Sequence, residues 1–181
     1  MSLLQPTMFL ISGPSAAGKS TVGRLLAKQS SRGVHLEGDV FRRSIVTGRQ
    51  DPLPTGSPDA ESQLRLRYEI AVGVADRYFA EGFSVVVEDV IAGPLLAECV
   101  ALVQSRPLHT VVLLPAATVI AARDAARNQS GYAVWSVQEL HDLFALRTPR
   151  VGLWLDNSGQ TPEETVGEIL RRAKEIDPPR L

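Results

Sequence analysis

Residues 13–20 read Gly13-Pro14-Ser15-Ala16-Ala17-Gly18-Lys19-Ser20. This stretch matches the phosphate-loop pattern, in which Gly, any four residues and a second Gly are followed by Lys and then Ser or Thr. An apolar run at residues 8–11 precedes the stretch, and a helix-like run at residues 21–29 follows it. Strand, glycine loop and helix form the setting in which this pattern binds phosphate. The stretch therefore predicts a nucleotide phosphate site rather than a plain glycine turn.

Each part of the loop has a physical task at such a site. The two glycines permit backbone angles that point several N–H groups at one anion, and the positive end of the following helix faces the same point. Lys19 reaches the outer phosphates, and the hydroxyl of Ser20 can hold Mg²⁺. We therefore expect ATP and Mg²⁺ as cofactors. The predicted cofactor-binding residues of the loop are Gly13, Pro14, Ser15, Ala16, Ala17, Gly18, Lys19, Ser20 and Thr21.

Composition narrows the class of protein. A length of 181 residues suits a single domain, here taken as 1–181. A net charge of -1 gives no overall attraction to long nucleic acids or anionic membranes, and no apolar run approaches the length of a membrane span. The lone cysteine, Cys99, excludes an internal disulfide and fits a reducing, cytoplasmic compartment. The oligomeric state is left open.

Apolar runs alternate with helix-period segments along the chain. Strands are predicted at residues 7–12, 33–37, 83–87, 108–114 and 151–155. Helices are predicted at residues 19–29, 40–46, 59–81, 94–104, 116–128, 136–146 and from 161 to about 175. Such alternation predicts a parallel sheet between two layers of helices. Ligands of these sheets bind beyond the carboxyl ends of the strands, so the residues that follow each strand are the candidates for chemistry.

Acidic residues follow two of the predicted strands. Asp39 comes after the second strand, where a carboxylate could orient an acceptor hydroxyl and take its proton; the alternative is an N-cap for the next helix. Glu88 and Asp89 come after the third strand, where a carboxylate can fix the Mg²⁺ shell. Either acid could serve the metal together with Ser20, and we favour Asp89. The alternative is a solvated strand end.

Basic residues near these positions could hold phosphate or substrate. Arg42 and Arg43 follow Asp39 closely and are predicted to bind substrate. Arg123 and Arg127 are four residues apart, so on a helix they share one face. We expect them to belong to a basic lid, at about residues 124–148, that closes over the transferring group; a solvated helix face is the alternative.

Three further residues have weaker signals. Arg65 and Arg67 on the long helix could contact substrate, but a solvent-facing position is favoured. Asp156 ends the last strand, where the nucleotide base should lie, and either contacts the base or turns the chain.

With these residues in view, the chain resembles small P-loop kinases, most of all the chloramphenicol phosphotransferase-like group. The resemblance covers nearly the whole chain and rests on four segments: residues 13–21, 88–90, 122–127 and 155–158. It implies a P-loop NTPase fold, a three-layer α/β/α sandwich whose five-stranded parallel sheet has the order 2-3-1-4-5, with a lid. It also implies a base at the end of the second strand, which falls on Asp39. Gluconate, shikimate and adenylylsulfate kinases share this plan.

The favoured function is therefore transfer of the γ-phosphate of ATP to a hydroxyl of a small metabolite or antibiotic. The predicted catalytic residues are Lys19, Asp39, Arg123 and Arg127. The alternatives are a nucleotide or polynucleotide end kinase and an ATP-binding regulator without turnover. A GTP switch is disfavoured because the chain has no Asn-Lys-x-Asp segment to read guanine. The acceptor itself is not identified by the sequence.

Overall fold

The strands and helices of the computed structural model follow the predicted alternation closely. The structure describes residues 5–52, 54, 56–127 and 134–176, with the backbone alone for 174–176. The strands are β1 (Met8–Ser12), β2 (Gly33–Glu37), β3 (Ser84–Glu88), β4 (Leu108–Leu113) and β5 (Leu153–Leu155). The helices are α1 (Lys19–Ala27), α2 (Asp39–Arg43), α3 (Pro58–Ala80), α4 (Leu95–Leu102), α5 (Ala117–Ala125), α6 (Val137–Arg147) and α7 (Pro162–Ile176).

The five strands form one parallel sheet in the order β2-β3-β1-β4-β5. The sheet order, the parallel pairing and the helices on both faces confirm the predicted three-layer architecture. Because all five strands run the same way, their carboxyl ends meet at one edge, and the loops that carry the candidate residues leave from that edge. Two backbone hydrogen bonds join the central ends directly, from Asp89 N to Ile11 O and from Gly38 N to Glu88 O.

Each face of the sheet packs against its own group of helices. Val85 and Val87 of β3 belong to a core with α3, α4 and α6, whereas Val86 belongs to a core with α1 and α7. Successive strand residues point to opposite faces, so this alternation continues to the end of β3. Glu88 therefore points towards α1, and Asp89, which follows the strand, points towards α3.

Two element boundaries bear on the site. β3 includes Glu88, whereas the predicted strand ends one residue earlier. α5 ends at Ala125 rather than at residue 128, so Arg127 follows the helix instead of continuing it.

Cys99 is buried in the α3-side core, as its apolar neighbours indicate. In the described part of the chain, no helix combines the length and the apolar character that a bilayer crossing requires.

A buried ion pair fastens α3 to the end of β3. Arg67 Nε lies 2.9 Å from Asp89 Oδ2, and Arg67 Nη2 donates to Asp89 Oδ1 at 2.9 Å. Both side chains are buried, with 10% and 6% of their surfaces exposed. Burial raises the pKa of Asp89 to about 6, and the positive charge of Arg67 limits that rise. Arg67 was expected to face solvent, and that expectation is wrong.

We predict that Arg67→Met destabilises the protein by about 3–5 kcal/mol, because it leaves a buried carboxyl group without its partner. Urea unfolding followed by circular dichroism measures the change. Arg65→Met is the matched control on the same helix; its exposed pairs with Glu61 and Glu98 should contribute little, so its unfolding midpoint should hardly move. Equal effects of the two substitutions would contradict a structural role for the Arg67–Asp89 pair.

Candidate functional site

The phosphate loop between β1 and α1 adopts the backbone that its glycines permit. Gly13 has φ 146°, Ala16 has φ 61° and Gly18 has φ 98°. A Cβ on Gly13 would lie 2.3 Å from the carbonyl oxygen of Leu113, so only glycine allows the loop to pass this close to β4. Gly18 precedes the first residue of α1, and the loop therefore opens onto the free N–H groups of a helix N-terminus.

Lys19 is the buried positive charge of this loop. Its ammonium group donates to the carbonyl oxygen of Pro14 at 3.0 Å, across the turn of the loop. Burial lowers the pKa of Lys19, and the negative charges of Glu88 and Asp89 oppose that shift. A lysine held in this way presents its charge to the anion site that the loop amides surround.

Ser20 pairs with Glu88 rather than with Asp89. The Ser20 hydroxyl donates to Glu88 Oε1 at 2.6 Å, while Asp89 is held by Arg67 on the opposite face of the sheet. The sequence left the choice between the two acids open and favoured Asp89. The geometry favours Glu88, because β3 extends through this residue and turns its side chain to the α1 face. A hydroxyl and a carboxylate at this distance are the hard oxygen donors that suit Mg²⁺.

Gly38 brings the end of β2 against the end of β3. A Cβ at this position would lie 2.0 Å from Asp89 Oδ2, so a larger residue would displace the carboxylate from Arg67. The close approach puts Asp39 next to the same strand ends. The positive charge of Arg67 acts on both Asp39 and Lys19, which places the two residues around a common region.

Asp39 is the first residue of α2 and does not cap it through its side chain. The capping alternative is therefore wrong. Its carboxylate instead accepts from Arg42 Nε at 2.7 Å and lies 3.3 Å from Arg43 Nη1. Burial raises the pKa of Asp39, but the hydrogen bond from Arg42 and the charges of both arginines outweigh it and lower the pKa overall. The two arginines thus hold Asp39 as an ionised carboxylate at neutral pH.

The two predicted substrate-binding arginines both hold Asp39. Arg42 also reaches Asp51 in the loop between α2 and α3, and so ties that loop to α2. A small cavity of about 10 Å³ opens beside it; its lining residues are Arg42, Ile45, Gln50, Pro52, Gln63, Leu64 and Arg67. Gln63 donates to Gly48 O and accepts from Gln50 N, which keeps this loop close to α3.

Arg123 and Arg127 occupy different places. Arg123 donates to the carbonyl oxygens of Asn157 at 3.0 Å and Ala17 at 3.4 Å, so it lies behind the phosphate loop. Arg127 is exposed beyond the end of α5, yet its charge lowers the pKa of Lys19. The prediction that the two share one helix face is wrong because α5 ends at Ala125. Residues 128–133 of the predicted lid lie outside the described part of the chain.

The turn after β5 packs against the phosphate loop. Asp156 accepts hydrogen bonds from the backbone N–H and the hydroxyl of Ser158, and these bonds lower the pKa of Asp156. This contact is the turn-forming alternative foreseen for Asp156. The buried side chain of Asn157 donates to Ala17 O at 3.0 Å and supports the loop from below.

Besides Arg127, three residues of the site are missed or misplaced by the sequence pattern. Arg67 could have been found from spacing, because it lies seven residues after Ala60 and four before Ala71 on the buried stripe of α3. Glu88 could have been chosen as the partner of Ser20 only if the face of β3 that packs against α1 were known. Asn157 has no sequence signal beyond its place after a strand.

Trp135 links the segment before α6 to the loop beside Asp39. Its indole N–H donates to the carbonyl oxygen of Pro52 at 2.9 Å. The lid region and the loop that borders the small cavity are therefore in direct contact, over a sequence separation of 83 residues.

Solved structures share this fold. A sugar kinase from Janibacter sp. HTCC2649 matches with a TM-score of 0.70 at 19% identity, over 96% of each chain. A shikimate kinase from Acinetobacter baumannii, solved with shikimate, matches with a TM-score of 0.67 at 19% identity, over 97% of this chain and 96% of that one. A tunicamycin resistance protein from Deinococcus radiodurans matches with a TM-score of 0.64 at 14% identity, over 93% and 95%. The expected resemblance to small P-loop kinases is confirmed in the fold.

Sequence comparison places the chain in a family. No curated protein sequence matches it. The profile of the family AAA_33, described as "AAA domain", matches residues 8–142, from β1 through the phosphate loop and into α6. Since the match spans well over half of the chain and includes the loop described above, the protein belongs to this AAA domain family and has the P-loop nucleotide-binding fold of the small kinases.

Proposed function

We propose that this protein is an ATP-dependent phosphotransferase that moves the γ-phosphate to a hydroxyl group of a small molecule. The observation that carries the proposal is the convergence of three elements at one sheet edge: the phosphate loop with Lys19, the Ser20–Glu88 pair, and the ionised Asp39. We take residues 1–181 as one domain with its lid at about 124–148.

The phosphate-binding part of the mechanism rests on the loop. Its backbone N–H groups and the N-terminus of α1 would surround the nucleotide phosphates, and Lys19 would add a positive charge from a buried position. Ser20 and Glu88 would hold Mg²⁺, which neutralises charge on the β- and γ-phosphate oxygens when bound. Glu88 rather than Asp89 is the acid assigned to the metal, and Asp89 supports α3.

The acceptor side rests on Asp39. Its carboxylate would orient the acceptor hydroxyl and receive its proton as the acceptor O–P bond forms and the bond from the γ-phosphorus to the bridging oxygen breaks, with ADP as the leaving group. Arg42 and Arg43 hold Asp39 in its ionised form and would border the acceptor, together with the small cavity near Gln50 and Gln63. A lowered pKa makes Asp39 a weak base, which suffices when the hydroxyl loses its proton late in a loose transition state.

The lid side is shared between two arginines. The positive charge of Arg127 lowers the pKa of Lys19. Arg127 would therefore neutralise negative charge on the transferring phosphoryl group. Arg123 and Asp156 would border the base-side edge of the nucleotide, because Arg123 lies between Ala17 and Asn157.

The direct test is transfer of radiolabelled γ-phosphate from ATP to a panel of small acceptors: sugars, sugar acids, hydroxylated ring acids, nucleosides and hydroxylated antibiotics. We expect label on one acceptor class, with ADP release stimulated by that class alone. Lys19→Met should reduce transfer by at least about 100-fold, because a preorganised charge is lost. ATP binding without any acceptor-stimulated turnover would contradict the proposal and favour a regulator.

Glu88→Gln should lower the rate of ADP formation at least about 100-fold at fixed Mg²⁺ and raise the Mg²⁺ concentration needed for half-maximal rate. Titration of Mg²⁺ at saturating ATP gives both quantities. Glu98→Gln, an exposed acid on α4, is the control and should leave both unchanged. A normal Mg²⁺ dependence in Glu88→Gln would remove Glu88 from the metal site.

Asp39→Asn should bind ATP normally and lose transfer by at least about 100-fold, because the amide cannot accept the proton. Isothermal calorimetry measures ATP binding, and the radiolabel assay measures transfer. Asp51→Asn is the matched control, since Asp51 also pairs with Arg42 but lies farther along the loop. Unchanged turnover in Asp39→Asn would rule out Asp39 as the base.

A further inference from the structure

Three potential metal ligands lie together at the β2 edge of the sheet, on the face that carries α1. They are His35, Glu37 and Glu88, and one ligand atom of each lies within 4.8 Å of the others. The register explains the cluster: His35 and Glu37 are two residues apart on β2 and share a face, and Glu37 pairs directly with Glu88 on β3. His35 Nδ1 lies 3.9 Å from Glu37 Oε1.

His35 has the features of a ligand held in place by packing. Only 10% of its side chain is exposed, and its Nε2 atom is buried without a hydrogen-bond partner. The ring lies against Gly23 of α1, where a Cβ would come within 2.8 Å of Nε2. The other ring nitrogen, Nδ1, lies on the side of Glu37, so Nδ1 is the atom that would bind an ion shared with the two carboxylates.

An open pocket of about 390 Å³ at the end of α1 borders His35. Its lining residues are Arg24, Ala27, Lys28, Ser30, Gly33 and His35. Arg24 lies 3.7 Å from Glu37 and has 68% of its side chain exposed, so it can turn away into water and leave Glu37 free to bind a cation.

We propose that His35, Glu37 and Glu88 form a binding site for a transition-metal dication of the zinc class. One imidazole and two carboxylates suit Zn²⁺, Co²⁺ or Mn²⁺, whereas Mg²⁺ prefers oxygen ligands alone. The two carboxylates balance the charge of the ion, and water would complete a tetrahedral shell. Zinc bonds of about 2.0–2.2 Å require the three side chains to close in slightly from their present spacing.

The site shares Glu88 with the phosphate loop. Glu88 accepts the hydrogen bond of Ser20 at 2.6 Å, and a dication on the β2 side of its carboxylate draws it away from that hydroxyl. Resting on the proposed function, the consequence is inhibition: zinc at this site removes the carboxylate that serves Mg²⁺ and slows phosphate transfer.

The binding test uses the whole chain, freed of metal, and needs no activity. Co²⁺ is titrated while its visible absorption bands are followed, and Zn²⁺ is titrated by calorimetry. We expect one equivalent of either metal to bind and bring out the intense bands of a tetrahedral cobalt site. His35→Gln and Glu37→Gln should each weaken binding at least about ten-fold, because each removes a ligand.

His141→Gln is the matched control, since it removes an imidazole on α6 and should leave the metal affinity unchanged. Absence of binding by the natural chain, or retention of its affinity in both ligand variants, would overturn the site. Circular dichroism checks that each variant folds, and Glu37→Gln, with 34% of its side chain exposed, carries the test if His35→Gln does not fold.

Inhibition is tested separately, as the rate of phosphate transfer at fixed MgATP with and without Zn²⁺, each variant being compared with its own zinc-free rate. The natural chain should be inhibited and His35→Gln should resist. Equal inhibition of both would overturn the coupling to Glu88. If no acceptor is found, the cobalt titration still decides whether the site exists, so a failure of the proposed function and a failure of this site are distinguishable.

Discussion

The alternation of side chains at the end of β3 is the constraint on which the rest of the site depends. Two neighbouring carboxyl groups, Glu88 and Asp89, leave the same strand end on opposite faces of the sheet. Glu88 meets Ser20 at the start of α1, and Asp89 meets Arg67 on α3. A shift of one residue in the register of β3 would exchange these partners, so the pairing with β1 and β2 determines which acid serves which helix.

Glu88 is assigned to the chemistry and Asp89 to structural support, but the charges of both residues still act on the same site. Both acids raise the pKa of Lys19 against the effect of its burial, so the supporting carboxyl group still acts on the phosphate site through its field. Arg67 likewise lowers the pKa values of Lys19 and Asp39. The Asp89–Arg67 pair therefore fixes α3 and the end of β2 through Gly38, and its charges also act on Lys19 and Asp39.

The sequence predicts the elements well and their faces poorly. Gly13 to Ser20 carries a local motif, so the sequence predicts the phosphate loop. The apolar runs and the acidic residues that follow them predict the strands and the position of Asp39. The sheet order came from a family resemblance. The partner of Ser20 depends on which face of β3 packs against α1, and tertiary packing determines this. Arg127 was misplaced because helix ends are weakly specified, and Arg67 because its charge outweighed its position on a buried stripe.

The most direct test of this account is a crystal structure with Mn²⁺ and a non-hydrolysable ATP analogue, in which anomalous scattering locates the metal. We expect a peak at about 2.2 Å from Ser20 Oγ, next to the nucleotide phosphates and joined to Glu88 directly or through one water. Asp89 should remain paired with Arg67. A metal bound to Asp89, with the Arg67 pair broken and Glu88 turned elsewhere, would contradict the division of roles at the end of β3.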